Sequence, residues 1–148
     1  NFYLVLQVIF GGVGAIALLV AAIGIANTMT MAILERTREI GLMKAVGATN
    51  RDVLGIFLGE AAGIGFVGGL GGVSLGWIAG YLMNIAAVVY FSNSSSGFGF
   101  SGTTSAVVTP SWLMIGSLVF ATFIGLVSGL YPALRAATLV PVIALKTE

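Results

Sequence analysis

Charged side chains are scarce in this 148-residue chain, which has six Lys and Arg and five Asp and Glu. They make up 7% of the residues, against about 25% in soluble domains, while hydrophobic residues make up 58%. The net charge of +1 gives no basic field that would attract nucleic acid and no acidic tail for a cationic partner. This composition excludes an ordinary soluble globular domain and a nucleic-acid-binding one.

Cysteine and histidine are absent altogether. Their absence removes disulfides, thiolate nucleophiles, imidazole bases and the zinc sites built from these ligands. Serines between Ser92 and Ser105 have no histidine to activate them. We therefore expect no catalytic group and no metal site in this chain.

The few charges are concentrated in two places, which leaves two long stretches without any. The stretches run from Asn1 to Leu34 and from Ala61 to Leu134. Because a membrane helix needs about 20 apolar residues, they are long enough for one span and two spans respectively. The sequence predicts an all-α membrane protein with three transmembrane helices. The predicted segments are spans at about 3–27, 61–83 and 112–131, a cytoplasmic hairpin at 35–52 and an outer loop at 92–110.

Lysine and arginine predict the orientation of the chain. The segment between the first two spans and the C-terminal tail carry all six of them, and the Ser/Gly-rich loop has none. By the positive-inside rule, the charged segment and the C-terminus lie in the cytoplasm. The prediction is a multi-pass protein of the cell membrane, surrounded by lipid.

The charged segment has the local pattern of a helix, a corner and a second helix. Gly47 is placed to end the first helix, and Thr49 with Asp52 forms a capping box that begins the second. The ordinary interpretation of such a charge run is a solvated loop that only sets orientation. Apolar residues among the charges favour instead a surface that binds a protein or the lipid headgroups. These residues are Ile40, Leu42, Met43 and Val46.

Glycines recur at intervals of four in the second and third spans. Such stripes let helix backbones approach closely in lipid. The predicted helix-packing positions are Gly68, Gly72, Gly76, Gly80, Gly125 and Gly129. Two further residues are placed at the inner membrane interface: Glu60, which either snorkels or has a functional role, and Pro132, which kinks or ends the last span.

The glycine patterns of this chain do not indicate a nucleotide-binding site. Gly63-x-Gly65-x-x-Gly68 matches a dinucleotide fingerprint but follows no strand and lies in an apolar span. Neither Lys44 nor Lys146 follows the glycines of a phosphate-binding loop. The chain has no ATPase motif of its own.

Several motifs resemble the C-terminal domain of FtsX/MacB-type ABC transporter permeases, and together they cover nearly the whole chain except the outer loop. The most specific is Glu35-Arg36-Thr37-Arg38-Glu39-Ile40-Gly41, followed by Lys44-Ala45-Val46-Gly47-Ala48. The end of the chain, with Gly129-Leu130-Tyr131-Pro132-Ala133 and Pro141-Val142, resembles the closing motif of that family.

The resemblance implies a non-catalytic permease subunit with four spans, of which the first, and an extracytoplasmic domain, would precede this chain. Two permease copies, identical or different, would associate with ABC ATP-binding subunits that hold ATP and Mg²⁺. The subunit would transmit ATP-driven movement to the extracytoplasmic domain, in export or in regulation of a cell-wall enzyme. The hairpin would dock on the ATPase through Glu35, Arg36, Thr37, Arg38, Glu39, Ile40, Gly41, Met43, Lys44, Gly47 and Ala48.

A different class of function also fits the composition. A small structural membrane protein or a self-assembling pore would use the glycine stripes and need no ATPase. The two hypotheses differ on the hairpin, which binds an ATPase in the first and has no partner in the second.

Overall fold

The computed structural model describes residues 2–93 and 109–138. Four helices form this part of the chain: α1 (Phe2–Glu35), α2 (Thr37–Ala45), α3 (Asn50–Asn93) and α4 (Ser111–Ala137). Three of them, α1, α3 and α4, are long and apolar enough to cross a membrane. The predicted fold class is therefore confirmed.

The helices contain the predicted spans and extend beyond them. At 1.5 Å per residue, the 44 residues of α3 reach about 66 Å. This helix is continuous from Asn50 through the second predicted span. The predicted outer loop begins inside α3, since residues 92 and 93 are helical, and its residues 94–108 lie outside the described residues.

The helix breaks at Arg36, between α1 and α2. Arg36 leaves helical geometry, with φ −100° and ψ 15°. The Thr37 hydroxyl donates to the carbonyls of Ile33 and Leu34, both at 2.9 Å. Because a threonine hydroxyl competes with backbone amides for these carbonyls, it bends the chain here.

The helices divide into two compact units, and the first comprises residues 1–65 and 122–148. All four helices contribute residues to its hydrophobic core, and small residues on α3 and α4 let these two helices approach closely. The buried core residues are Met29 and Ile33 of α1, Ile40 of α2, Val53, Phe57 and Ala61 of α3, and Ala133 and Ala136 of α4.

A close crossing of α3 and α4 lies in this first unit. A Cβ atom added at Gly125 would lie 2.7 Å from the carbonyl oxygen of Ala61 and 2.9 Å from the Cα of Gly65. One added at Gly129 would collide with the Ala61 side chain. Both glycines are buried at the crossing, where no larger side chain fits unless a neighbour moves.

The second unit comprises residues 66–121. Within it, a Cβ added at Gly69 would lie 2.9 Å from the Cβ of Ala121 and 3.1 Å from Leu118. Gly68, Gly72 and Gly76 have open space where their Cβ atoms would be, and Gly80 is half-buried. In the described part of this unit, α3 therefore approaches α4 closely at Gly69. The predicted stripe of Gly68, Gly72 and Gly76 does not contact another helix there.

Most large apolar side chains of the long helices are exposed. The exposed set includes Phe2, Phe10 and Val20 of α1, Trp77 and Leu82 of α3, and Trp112 and Phe123 of α4. A soluble monomer does not present apolar surface on this scale, whereas a lipid bilayer covers it favourably. The chain is a multi-pass membrane protein.

Candidate functional site

Helix α2 and its corner with α3 carry most of the charged side chains of the described chain. The helix separates cleanly into two faces, because positions three and four apart lie on one side. The inward face carries buried Ile40 and Gly41 and half-buried Met43 and Lys44. The outward face consists of Arg38, Glu39, Leu42, Ala45 and Val46, all exposed.

The apolar residues of α2 have two different environments. Ile40 is 0% exposed in the core of the first unit, and Met43 packs against the same core. The sequence assigned both to anchoring a partner, but the structure gives Ile40 an internal role and leaves it no free surface. The apolar side chains that reach outward are Leu42, 52% exposed, and Val46, 89% exposed.

The sequence predicted Leu42 and Val46 as part of an apolar surface but did not separate them from the inward residues, because it shows which residues are apolar but not which helix face meets the spans. Helical spacing shows only that Leu42 and Val46 share a face with Arg38, and the structure shows that this face points outward. The outward side of α2 therefore combines charged side chains with the exposed apolar side chains of Leu42 and Val46.

Lys44 lies one turn after Ile40 on the inward face. Its Nζ donates a hydrogen bond to the backbone carbonyl of Ala137, the last residue of α4. Carbonyls at a helix C-terminus have no partner within their own helix, and a lysine is well suited to them by hydrogen bonding and by charge. The sequence assigned Lys44 to polar docking, and the structure shows that it also contacts α4.

The corner itself is a Schellman motif, as the position of Gly47 suggested. The Ala48 amide donates to the carbonyl of Met43 at 3.0 Å, and the Gly47 amide donates to that of Lys44 at 3.1 Å. Gly47 has a φ of 110°, a conformation that side chains other than glycine rarely adopt. This motif ends α2 and redirects the chain within a few residues.

The capping box that begins α3 is also present. The Asp52 carboxylate accepts hydrogen bonds from the Thr49 amide at 2.8 Å and from its hydroxyl at 2.7 Å. The Asp52 amide in turn donates to the Thr49 hydroxyl oxygen at 3.3 Å. The two bonds from Thr49 hold the pKa of Asp52 below its ordinary value, because they stabilise the ionised form.

Arg36 and Glu60 join the α1–α2 junction to α3. The guanidinium lies 3.8 Å from a Glu60 carboxylate oxygen, and both side chains are exposed enough for solvent to screen the pair. Such a pair contributes about 0–1 kcal/mol to stability. The sequence left open whether Glu60 snorkels or has a functional role. The structure shows Arg36 as a partner for its charge and does not decide between the two.

The remaining predicted positions are placed as follows. Glu35 is exposed at the end of α1. Pro132 is buried, and α4 continues past it to Ala137, so the proline does not end the last helix. In the described part of the chain, no group of three or more His, Cys, Asp or Glu is arranged to hold a metal ion. In this arrangement, a short helix packs against three long helices on one face and is exposed on the other.

Comparisons with known proteins give a consistent result. The chain matches the family model described as FtsX-like permease C-terminal over residues 11–141. It is 36% identical to the ABC transporter permease YtrF of Bacillus subtilis over 148 residues, which are 100% of this chain and 34% of that relative. It is 39% identical to the macrolide export ATP-binding/permease protein MacB of Bdellovibrio bacteriovorus over 143 residues, which are 97% of this chain and 20% of that relative.

A third relative shows the same pattern. The pyoverdine export ATP-binding/permease protein PvdT of Pseudomonas aeruginosa is 40% identical over 144 residues, which are 97% of this chain and 19% of that relative. The chain therefore spans about a third of the length of YtrF and about a fifth of the lengths of MacB and PvdT.

Proposed function

Since this chain belongs to the FtsX-like permease C-terminal family, we propose that it is the permease part of an ABC-type transporter or mechanotransmission complex. It couples ATP hydrolysis by a partner ATPase to the movement of an extracytoplasmic domain, in the direction of export. The ATPase binds ATP and Mg²⁺, and this chain contributes no catalytic group.

The observation that carries the proposal is the two-faced helix α2. Its inward face is fixed in a core that includes residues of all three long helices. Its outward face presents Arg38 and Glu39 beside the exposed apolar Leu42 and Val46. A partner that binds this face thus acts on a helix that packs against all three membrane-spanning helices.

The names of two relatives support the choice of partner. MacB and PvdT are named ATP-binding/permease proteins, so ATP binding and a similar permease region occur in one polypeptide there. In the present proposal the ATPase is either fused elsewhere in the protein or separate. The docking face and the C-terminus lie in the cytoplasm, where ATP is available.

A second permease copy completes the proposed assembly. The exposed glycine face of α3, with open space at Gly68, Gly72 and Gly76, allows close approach of another helix. Lipid covers the remaining apolar surface.

An exchange of charges tests the docking face in the full permease. The double variant Arg38→Glu with Glu39→Lys keeps the net charge but reverses the pattern presented to the partner. Reversed charges oppose complementary groups on the ATPase, so we expect weaker association and a loss of permease-dependent ATP hydrolysis. Co-purification and ATPase assays in reconstituted membranes measure both.

The matched control uses two charges outside the predicted docking set. Arg135→Gln with Glu60→Gln also keeps the net charge and loses at most the exposed Arg36–Glu60 pair, so we expect association to be retained. Unchanged association and hydrolysis in the Arg38/Glu39 variant would contradict the proposed docking face. Stable homo-oligomers that conduct ions without any ATPase would instead favour the self-assembling pore.

A further inference from the structure

Lys44 connects two elements that are far apart in the sequence. It lies on the inward face of α2, and its ammonium group hydrogen-bonds the carbonyl of Ala137 at the end of α4. Ala137 is itself buried. The bond is therefore a directed polar contact at the edge of an apolar core, from the proposed docking helix to the last membrane helix.

A lysine ammonium is a suitable hydrogen-bond donor for the carbonyl of Ala137, because that carbonyl lies at the C-terminus of α4. The carbonyls of the last helical turn receive no hydrogen bond from an amide of their own helix. Together they form the negative end of the helix dipole. The Lys44 ammonium supplies a donor and a positive charge, and Lys44 shares the inward face of α2 with Ile40 and Met43. A neutral apolar side chain of similar length would preserve the packing and lose the bond.

The contact gives α4 a direct link to α2. The connection from α2 to α3 runs along the backbone through Gly47 and the capping box, whereas no comparable short backbone connection joins α2 to α4 in the described chain. The apolar core contacts of Ile40 are not directional, while a hydrogen bond fixes the position of one group relative to another.

We infer that Lys44 is a positioning residue, which makes the end of α4 follow α2 when the partner ATPase moves that helix. The inference rests on the proposed function. It separates two tasks within the short helix: the outward face binds the ATPase, and Lys44 passes the resulting movement to α4. Without Lys44, movement of α2 still reaches α3 through the backbone but reaches α4 incompletely.

Spin labels on pairs of introduced cysteines test this division, since this chain has no cysteine that would also be labelled. In the full permease with its ATPase, one label at Leu130 reports on α4 and one at Ile56 reports on α3, each paired with a reference label at Met31 of α1. All three positions are exposed. Distances are measured with ADP and with ATP in Lys44→Met, which keeps the apolar stem, and in Lys44→Arg, which keeps a charged donor.

In Lys44→Met we expect the ATPase to remain bound and the ATP-dependent distance change to be lost for α4 but kept for α3. Lys44→Arg should restore the α4 change. Arg38→Met serves as the matched control on the outward face: it should weaken ATPase binding and reduce both distance changes together. Should Lys44→Met fail to assemble, Lys44→Leu, whose apolar side chain also lacks a donor, is expected to give the same selective loss.

Two results would overturn the inference while leaving the proposed function intact. One is a normal α4 distance change in Lys44→Met, and the other is an equal loss at α3 and α4, which would show general loosening. If the unmodified complex shows no ATP-dependent change at either label, the proposed function is wrong and the inference fails with it.

Discussion

Replacement of Gly129 by alanine is expected to destabilise the full permease by about 1–3 kcal/mol, the usual cost of overpacking a filled site. The new methyl group would collide with the Ala61 side chain on α3. Because the obstacle is a side chain, Ala61→Gly should remove it, and the double variant should regain most of the lost stability. Unfolding of the purified permease in detergent micelles measures the difference.

The neighbouring glycine provides a sharp contrast. A methyl group at Gly125 would meet the backbone of Ala61 and Gly65, and no substitution removes backbone. Gly125→Ala should therefore destabilise the protein, and Ala61→Gly should not rescue it.

Gly116 supplies a control on the same helix, since the space at its Cβ position is open. Gly116→Ala should be neutral or slightly stabilising, because alanine favours a helix over glycine by up to about 1 kcal/mol. Equal effects of the three alanine substitutions would contradict the close crossing of α3 and α4.

Truncation of Ile40 to alanine is expected to cost about 2–5 kcal/mol, as for other fully buried aliphatic side chains. The side chain is completely buried in the core that holds α2 against the long helices. Truncation leaves a cavity there and loosens the attachment of α2. The effect should appear as a lower unfolding midpoint of the full permease.

Leu42, two residues along the same helix, is the matched control. More than half of its surface is exposed, so Leu42→Ala should change stability by no more than about 0.5 kcal/mol. ATPase association should show the opposite order, with a larger loss of association for Leu42→Ala than for Ile40→Ala. If the Leu42 variant proves the less stable of the two, the assignment of the two faces of α2 is incorrect.

Features determined by local sequence were predictable. The long uncharged stretches required three helices, because a bilayer leaves the backbone few alternatives. Gly47 marked the corner because its φ of 110° suits glycine. Thr49 and Asp52 formed the expected capping box because its bonds join residues three positions apart.

Features that depend on contacts between distant segments were not predictable. The spacing of apolar residues in α2 did not reveal that Ile40 faces the core, since that depends on where α1, α3 and α4 lie. The contact of Lys44 with Ala137 joins positions 93 residues apart. Spacing alone also did not distinguish Gly125 and Gly129, which lie at the crossing, from Gly72, which has open space.

The central claim is that an ATPase binds the outward face of α2 on the inner side of the membrane. The most direct measurement is labelling of Val46→Cys by a membrane-impermeant maleimide in an otherwise cysteine-free permease, with Ile40→Cys as the buried control. The account predicts that Val46→Cys reacts only from the cytoplasmic side and is protected when the ATPase is bound, while Ile40→Cys stays unreactive. Reaction from the outer side, or equal reactivity with and without the bound ATPase, would contradict it.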